Sequence, residues 1–118
     1  ERDEQKKTVS GLHNWIQLAN EERAGFLDYK GRIKSKHESS DLRFITIQFE
    51  WHQQEKFVSS TLIGTSPEFE IALLSMCFFS GQENTIVKLG SREIAIKCFS
   101  IRRRGKKYLG SAFPEEIE

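Results

Sequence analysis

Apolar and polar residues alternate most regularly in the middle of the chain. Over residues 45–51, apolar side chains occupy every odd position, and Thr46, Gln48 and Glu50 lie between them. This period of two predicts a strand with one buried face. Residues 52–55 predict a turn and residues 56–63 a second strand, so the simplest structure for this region is an antiparallel hairpin.

Near the N-terminus the apolar spacing is that of a helix. We predict a helix that opens within Gly-Leu-His-Asn-Trp at 11–15, has Ser10 as its N-cap and runs to about Arg23. Gly25 is a typical C-terminal stop, because glycine readily adopts the left-handed backbone that ends helices. The apolar stripe of this helix comprises Leu12, Trp15, Ile16 and Ala19.

A second helix is predicted after residue 64. Thr65 and Glu68 have the spacing of a capping box, and Pro67 suits the first turn. Gly81 ends the helix. Because this segment is more apolar than the first helix, we expect it to be the main core element. Its predicted buried stripe comprises Phe69, Ala72, Leu73 and Met76, widened by Cys77, Phe78 and Phe79.

The remaining segments favour strands. The predicted strands are residues 26–34, 85–89, 92–101 and 108–113, and residues 35–41 form a polar loop. Gly90 and Ser91 predict a tight turn, and residues 102–107 predict a strongly basic hairpin tip. The order of these elements predicts an α+β fold with a mainly antiparallel sheet and two helices.

Composition narrows the class of protein. The 118 residues suit one domain, and shares of 37% hydrophobic and 30% charged residues are ordinary for a globular chain. The net charge of +1 does not indicate nucleic-acid binding by bulk electrostatics, so a polyanion site must be a local patch. Cys77 and Cys98 lie in apolar segments and are expected to be buried thiols. No apolar run reaches membrane-spanning length, and no Cys/His cluster predicts a zinc site.

Two features of the first half carry candidate functional side chains. His13 lies close to the predicted helix start, where unpaired N–H groups and the helix dipole favour an anion. Lys56 begins a strand, and Ser60, four residues later, is predicted to share its face. Each feature also has an ordinary interpretation. His13 would be a surface histidine beside the buried Trp15, Lys56 a solvated strand end, and the nearby His52 a turn residue rather than a second titrating group.

The third feature is the basic tip at residues 102–107. Five of its six positions are cations, which is denser than solubility requires. Ser111 and Phe113 follow on a common face of the last predicted strand. The ordinary interpretation is a soluble hairpin with unremarkable strand residues beside it.

Four motifs occur in order and together resemble a known family. The resemblance is to the EndoU family of uridylate-specific endoribonucleases, of the XendoU and placental-protein-11 type, and more distantly to the nidovirus uridylate-specific endoribonuclease. The motifs span nearly the whole chain. They are Gly-Leu-His-Asn-Trp at 11–15, Gln-Phe-Glu-Trp at 48–51, Ile-Gly-Thr-Ser-Pro-Glu-Phe-Glu at 63–70 and Gly-Lys-Lys-Tyr at 105–108.

The resemblance implies an EndoU-like catalytic lobe that cleaves single-stranded RNA 3′ of uridine. In this reaction the ribose 2′-hydroxyl attacks the phosphorus and leaves a 2′,3′-cyclic phosphate. Such chemistry needs a base, an acid and a cation for the phosphorane. Histidines suit the acid–base pair because imidazole titrates near neutral pH, and a lysine suits the charge on the nonbridging oxygens. The animal members also imply Mn²⁺, although the sequence offers no ligand cluster to name.

The resemblance assigns roles to individual residues. His13 corresponds to the catalytic histidine of the Gly-x-His-Asn-Trp motif, and Lys56 to the lysine that follows the Phe-x-Trp motif. Ser60 corresponds to a serine that lies by the uracil in the viral relatives. Ser111 and Phe113 correspond to the Thr/Ser-x-Tyr pair of the last strand, where Phe113 keeps a stacking ring but lacks the phenol hydroxyl.

These assignments predict one polar groove. We expect His13, Lys56 and Ser111 to converge on it. In the basic tip, Arg104 and Lys106 are the predicted contacts to the RNA substrate, because cations that neutralise phosphates supply binding to nucleic acid.

The N-terminal end departs from the family pattern. The family has another catalytic histidine shortly ahead of the Gly-x-His-Asn-Trp motif and a few residues before a glutamate, for which Glu1 is a candidate. The family domain is also about twice as long, so residues 1–118 are interpreted as its C-terminal lobe without the N-terminal part. The alternatives are a piece of an active nuclease, a non-catalytic RNA-binding lobe and a protein-interaction scaffold. Localisation stays open, because the family has secreted and intracellular members.

Overall fold

A computed structural model describes residues 2–3, 8–34 and 43–117, with side chains over 8–34 and 43–117. The predicted polar loop at 35–41 lies outside the described residues. Two helices and mainly antiparallel sheets confirm the α+β prediction. The chain divides into two compact units, Glu1–Gly64 and Thr65–Glu118. Over the described residues, neither helix has the length and apolar character that crossing a membrane requires.

The first unit contains a five-stranded sheet in the order β1-β2-β5-β4-β3. Its elements are β1 (Arg2–Asp3), β2 (Thr8–Val9), α1 (Trp15–Arg23), β3 (Leu27–Ile33), β4 (Phe44–Trp51) and β5 (Gln54–Leu62). Strand β2 runs parallel to β5, and the other neighbours are antiparallel. The buried core of this unit comprises Val9, Leu18, Leu27, Ile47 and Phe49.

The predicted hairpin is confirmed as β4 and β5, but its turn is shorter than predicted. His52 and Gln53 alone form it, with φ of 47° and 65°. Two successive left-handed residues match the right-handed twist of the flanking strands, which is why two-residue turns of this hand join hairpins. Strand β5 therefore begins at Gln54, two residues before the predicted start.

The first helix begins later than predicted. Gly11 and Leu12 have φ of 75° and 61°, which a right-handed helix cannot accommodate. Asn14 rather than Ser10 is the N-cap, and its side-chain oxygen accepts a hydrogen bond from the Gln17 backbone N–H at 3.0 Å. Residues 11–13 thus precede the helix, and His13 lies just outside it.

A bulge in β5 overturns the prediction that Lys56 and Ser60 share a face. Lys56 pairs with Phe49 and Ser59 with Ile47, and between these pairs β5 has two residues where β4 has one. The extra residue breaks the period of two, so the side chains beyond it change face. Ser60 pairs with Thr46 and lies on the face opposite Lys56.

The second unit contains one helix and a three-stranded antiparallel sheet in the order β6-β7-β8. Its elements are α2 (Pro67–Phe79), β6 (Asn84–Leu89), β7 (Arg92–Arg103) and β8 (Lys106–Glu115). Gly90 and Ser91 form the predicted tight turn, and Arg104 and Gly105 form the turn of the predicted basic tip. Helix α2 packs on β7 and β8.

Two predictions about α2 are wrong. Its N-cap is Ser66, whose hydroxyl accepts from the Phe69 N–H at 3.1 Å, and not Thr65. The predicted stripe is largely exposed: Met76 is 72% exposed and Phe69 42%, whereas Cys77 is buried. Helix α2 carries apolar side chains on all of its faces, but the sheet on which it packs covers only one of them.

Candidate active site

An irregular segment of the first unit runs beside β5 and carries His13. Thr8 pairs with Glu55 and Asn14 with Leu62, both in parallel register. Between these two points, Gly11 and Leu12 adopt left-handed backbone conformations. Left-handed residues turn the main chain out of the extended conformation, so the carbonyl groups of this segment are satisfied by side chains instead of a regular ladder.

Three side chains on one face of β5 bind the carbonyl groups of this segment. The Lys56 ammonium donates to the Gly11 carbonyl. The Ser59 hydroxyl lies 3.5 Å from the Leu12 carbonyl, and the Thr61 hydroxyl donates to the carbonyl of His13 at 2.5 Å. The β5 bulge makes this possible, because it places Lys56, Ser59 and Thr61 on the same face.

The imidazole of His13 is fixed in one tautomer. Its Nδ1 lies 2.7 Å from the backbone carbonyl oxygen of Ser60. A carbonyl only accepts hydrogen bonds, so Nδ1 carries the hydrogen in the neutral ring and Nε2 carries the lone pair. The arrangement therefore presents Nε2 as the nitrogen that can take up a proton.

Burial sets the protonation of both candidate catalytic groups. Burial, and after it the charge of Lys56, lower the pKa of His13 to about 4, although the hydrogen bond to the Ser60 carbonyl opposes the shift. Burial also lowers the pKa of Lys56 to about 8. At neutral pH, His13 is therefore a neutral base, and Lys56 is mostly charged but close to its titration range.

Ser60 supports His13 through its main chain. Its hydroxyl lies 3.2 Å from the Thr46 hydroxyl, and the residue is only 5% exposed. The carbonyl of the same residue accepts from His13. The predicted contact between Ser60 and the substrate stays a prediction, while its part in orienting the imidazole is visible in the structure.

His52 is a structural residue of the β4–β5 turn, which is the first of the two roles that the sequence allowed. Its ring stacks on Phe26 with the centroids 4.7 Å apart, and its Nε2 lies 3.6 Å from the Glu21 carboxylate. The same carboxylate accepts a hydrogen bond from the Trp51 indole at 2.7 Å. These contacts tie the β4–β5 turn to α1, which explains the histidine structurally.

The other predicted site residues lie in the second unit. Ser111 is exposed and pairs with Phe99, and Phe113 is half-buried with its ring centroid 6.0 Å from that of Phe99. Arg104 and Lys106 are exposed at the basic tip. His13 and Lys56 are thus brought together by the structure, whereas their predicted convergence with Ser111 stays a prediction.

Sequence reasoning missed Ser59 and Thr61. Both are ordinary β-strand residues by type, and their functional position depends on the bulge. The sequence carries no clear signal for them, because polar and apolar residues do not alternate along β5: three polar residues come before Phe57 and Val58, and three more follow them.

The residues that the structure describes do not provide a metal centre. No group of three or more His, Cys, Asp or Glu side chains among them is arranged to hold a metal ion. The Mn²⁺ that the resemblance implies stays a prediction, and no step of the reaction is assigned to it.

The structure thus gives His13 a single tautomer and brings it close enough to Lys56 for the lysine charge to lower the histidine pKa. The sequence matches the family described as "Endoribonuclease XendoU" over residues 1–114. The chain belongs to this family.

Named relatives agree with this assignment. The chain is 37% identical over 112 residues to the Poly(U)-specific endoribonuclease-A of Xenopus laevis, a match that covers 90% of the chain and 37% of the relative. It is 36% identical over 113 residues to the human Uridylate-specific endoribonuclease, covering 92% of the chain and 28% of that protein. The chain thus spans only about a third of the length of these relatives.

A solved structure of the same family has a similar fold. It is that of XendoU, described as a splicing independent snoRNA processing endoribonuclease, with a TM-score of 0.66 and 33% identity. The match covers 90% of this chain and 39% of that one. This similarity confirms the predicted fold class.

Proposed function

We propose that the chain supplies the base and the phosphate-binding cation of an endoribonuclease that cleaves RNA 3′ of uridine. One observation carries the proposal: Lys56 donates to the carbonyl of Gly11, two residues before His13, while the His13 ring is held in a single tautomer. The segment at 11–13 therefore fixes the base and the cation relative to each other, which this chemistry requires.

In the proposed reaction His13 accepts the proton of the ribose 2′-hydroxyl at Nε2. The freed oxygen attacks the phosphorus, the bond from phosphorus to the 5′-oxygen breaks, and the product is a 2′,3′-cyclic phosphate. The departing oxygen takes its proton from the second histidine that the resemblance implies ahead of Glu1. Lys56 stabilises the negative charge that grows on the nonbridging oxygens.

Uridine selection is assigned to the second unit. The Phe113 ring provides a stacking surface for the base, and the exposed Ser111 hydroxyl provides a hydrogen-bonding group on the same face. The names of the relatives, which specify poly(U) and uridylate, support this assignment. Arg104 and Lys106 bind the phosphates of the same strand.

The test is an RNA oligonucleotide that contains one uridine. It is incubated with the chain alone and with the chain joined to the N-terminal part of the Xenopus laevis relative, each with and without Mn²⁺. We expect the joined protein to cleave 3′ of the uridine and to leave a cyclic phosphate, and His13→Ala to abolish this product. Cleavage by the joined His13→Ala variant at the unchanged rate would refute the proposal.

A second candidate function is RNA binding without cleavage. The tip favours it, because none of its five cations, Arg102, Arg103, Arg104, Lys106 and Lys107, forms an ion pair with a described residue. This function predicts salt-sensitive binding of single-stranded RNA with no product from either protein. Mn²⁺ dependence is a further proposal, and the paired incubations test it.

A further inference from the structure

Strands β7 and β8 extend beyond the rest of their sheet as a two-stranded ribbon. The pairing of β6 with β7 ends at Lys97, and residues 99–103 of β7 pair only with β8 among the described residues. Every residue from Phe99 to Ser111 is exposed. An isolated two-stranded hairpin is marginally stable in water, so an exposed ribbon that carries apolar side chains indicates a surface that binds something.

A bulge in β8 gathers the aromatic and cationic side chains on one face of the ribbon. Tyr108 pairs with Ile101 and Ser111 with Phe99, although Tyr108 and Ser111 are three residues apart. Without the extra residue of β8 these two side chains would lie on opposite faces. Gly110 suits this site, because a β-carbon there would lie 3.1 Å from the Phe99 carbonyl oxygen.

The resulting face has a definite order of residues from the sheet to the tip. Phe113 and Phe99 come first, with Ser111 beside them. Ile101 and Tyr108 follow, and Arg103 pairs with Lys106 next to the turn. The opposite face is directed toward α2, since the ammonium of Lys107 lies 5.8 Å from the centroid of the Phe78 ring.

At the outer end of this face lies a groove of about 780 Å³ lined by Ile101, Arg103, Arg104 and Tyr108. The Tyr108 side chain contributes an exposed aromatic ring, and the two arginines contribute charge. No acidic residue occurs between Glu93 and Glu115, so the surroundings favour an anion along the whole ribbon.

We propose that this face is a track for single-stranded RNA in which Tyr108 stacks on the base of a nucleotide next to the bound uridine, and Arg103 and Arg104 hold its phosphate. The proposal rests on the proposed placement of uridine at Ser111 and Phe113. Tyr108 lies four register positions beyond Phe113, which is roughly 13 Å along a strand, so more than one nucleotide is needed to reach both.

Charge and ring type decide the class of ligand. Aromatic stacking accepts any base, and arginine binds phosphate whatever the sequence, so this part of the track is not selective for uridine. A duplex has its bases stacked inside and cannot offer one to Tyr108. The track therefore prefers single strands to duplexes and tolerates any base beside the uridine.

The test measures binding of the 118-residue chain to a single-stranded octanucleotide whose one uridine carries a 2′-deoxyribose, which prevents cleavage. We expect Tyr108→Ala to weaken binding by roughly tenfold and Tyr108→Phe to bind like the unmodified chain, because stacking needs the ring alone. Tyr29→Ala is the matched control, since Tyr29 is a strand tyrosine with 47% exposure against 48% for Tyr108.

Two further measurements separate stacking from folding of the ribbon. Removal of the base beside the uridine, with its phosphate kept, should weaken binding to the unmodified chain and leave Tyr108→Ala unaffected. In Tyr108→Trp the added indole should be quenched when a single-stranded oligonucleotide binds, and the duplex should have no such effect. Equal affinities of the unmodified chain and Tyr108→Ala, or equal affinity for the duplex, would overturn the proposal.

The outcomes also separate this inference from the proposed nuclease function. If the joined protein fails to cleave but binding depends on Tyr108 and on the neighbouring base, the RNA track stands and the nuclease proposal falls. If cleavage occurs but Tyr108→Ala changes neither affinity nor the dependence on the neighbouring base, the track falls and the nuclease proposal stands.

Discussion

The chain uses cationic side chains in two opposite ways. In the first unit, Lys56 is half-buried, donates to the Gly11 carbonyl and has its pKa lowered to about 8 by burial. In the second unit, the five cations at 102–107 are exposed and form no ion pair with a described residue. A buried ammonium interacts strongly with a single phosphate at a fixed place, whereas exposed cations attract an RNA chain over a wide surface.

Two histidines of the first unit, His13 and His52, differ from each other in a similar way. His13 is oriented by a carbonyl and kept neutral by burial, whereas His52 stacks on Phe26 near a carboxylate and stabilises a turn. The comparison teaches that surroundings, and not residue type, separate the catalytic candidate from the structural residue. The variants below alter either the buried groups around His13 or the exposed cations of the second unit. Cleavage is measured on the chain joined to the N-terminal part of the Xenopus laevis relative.

The largest expected effect is that of His13→Ala. Without the Nε2 base, cleavage of the single-uridine oligonucleotide should slow by about 10²–10⁴-fold, as is usual for loss of a general base. Initial rates of cyclic-phosphate formation measure the effect. His52→Gln is the control and should cleave at the normal rate, although loss of stacking on Phe26 should lower its melting temperature. Comparable rate losses in both variants would contradict the division between the two histidines.

Lys56→Met should slow cleavage by about 10²–10³-fold, because it removes the cation that the proposed reaction uses to stabilise the nonbridging oxygens. Lys88→Met, in the exposed part of β6, is the matched control and should leave the rate unchanged. Urea unfolding should show that Lys56→Met folds. If Lys56→Met cleaved at a rate within a fewfold of the unmodified protein, Lys56 would not be the group that binds the scissile phosphate.

The pH dependence should follow from the two lowered pKa values. His13 must be neutral to act as a base, so kcat/KM should rise as pH increases through about 4. Lys56 must be charged, so kcat/KM should fall as pH increases through about 8. In Lys56→Arg the remaining activity should lose this alkaline decline, because arginine stays charged. An unchanged decline would assign it to another group.

The pKa of His13 also affects stability. Its value in the folded chain, about 4, lies below the ordinary 6.5, so protonation favours the unfolded chain. The His13 contribution should therefore weaken the fold as pH falls from 6.5 toward 4. Chemical unfolding of the chain and of His13→Ala measures the difference in unfolding free energy, which should change with pH over this range and become constant above pH 6.5.

The sequence predicted the β4–β5 hairpin because its alternating residues pair locally across a short turn. It did not predict which side chains of β5 reach His13. That depends on the bulge at Phe57 and Val58, and because the residues of β5 do not alternate, no break in a period of two reveals the bulge in the sequence. The family resemblance identified His13 and Lys56, but the supporting Ser59 and Thr61 became visible only through their contacts with residues 47 or 48 positions away in the sequence.

The helices show the same limit of local reasoning. Ser10 and Thr65 are good N-cap types, yet the caps are Asn14 and Ser66, because backbone conformation decides where a helix begins. The apolar spacing of α2 identified the helix correctly. Spacing alone does not say how much of an apolar helix a neighbouring sheet covers, so the expected burial of Met76 was wrong.

A smaller effect is expected from Thr61→Val. It removes the hydroxyl that binds the His13 carbonyl, so we expect kcat to fall by about 3- to 10-fold with little change in KM, in line with the loss of one hydrogen bond. Thr61→Ser keeps the hydroxyl and should restore kcat. A change in KM alone would show that Thr61 does not position the base.

The smallest expected effect is that of Arg104→Asn. Arg104 has a left-handed φ of 50° beside Gly105, a position that suits asparagine better than arginine. The variant should gain about 0.5–1 kcal/mol of stability, while the slope of log affinity against log salt should fall by about 0.7 for the lost phosphate contact. Denaturant unfolding and RNA binding at several salt concentrations test the two parts separately.

The short strand β2 has a consequence for heating and storage of this protein. Its register with β5 consists of Thr8 opposite Glu55, whereas β4 and β5 pair along most of their length. Separation of β2 from β5 would carry His13 away from Lys56 and leave the hairpin intact. Inactivation should therefore precede the loss of β-sheet circular dichroism, and deuterium uptake near residues 8–13 should report the remaining activity better than the melting curve does.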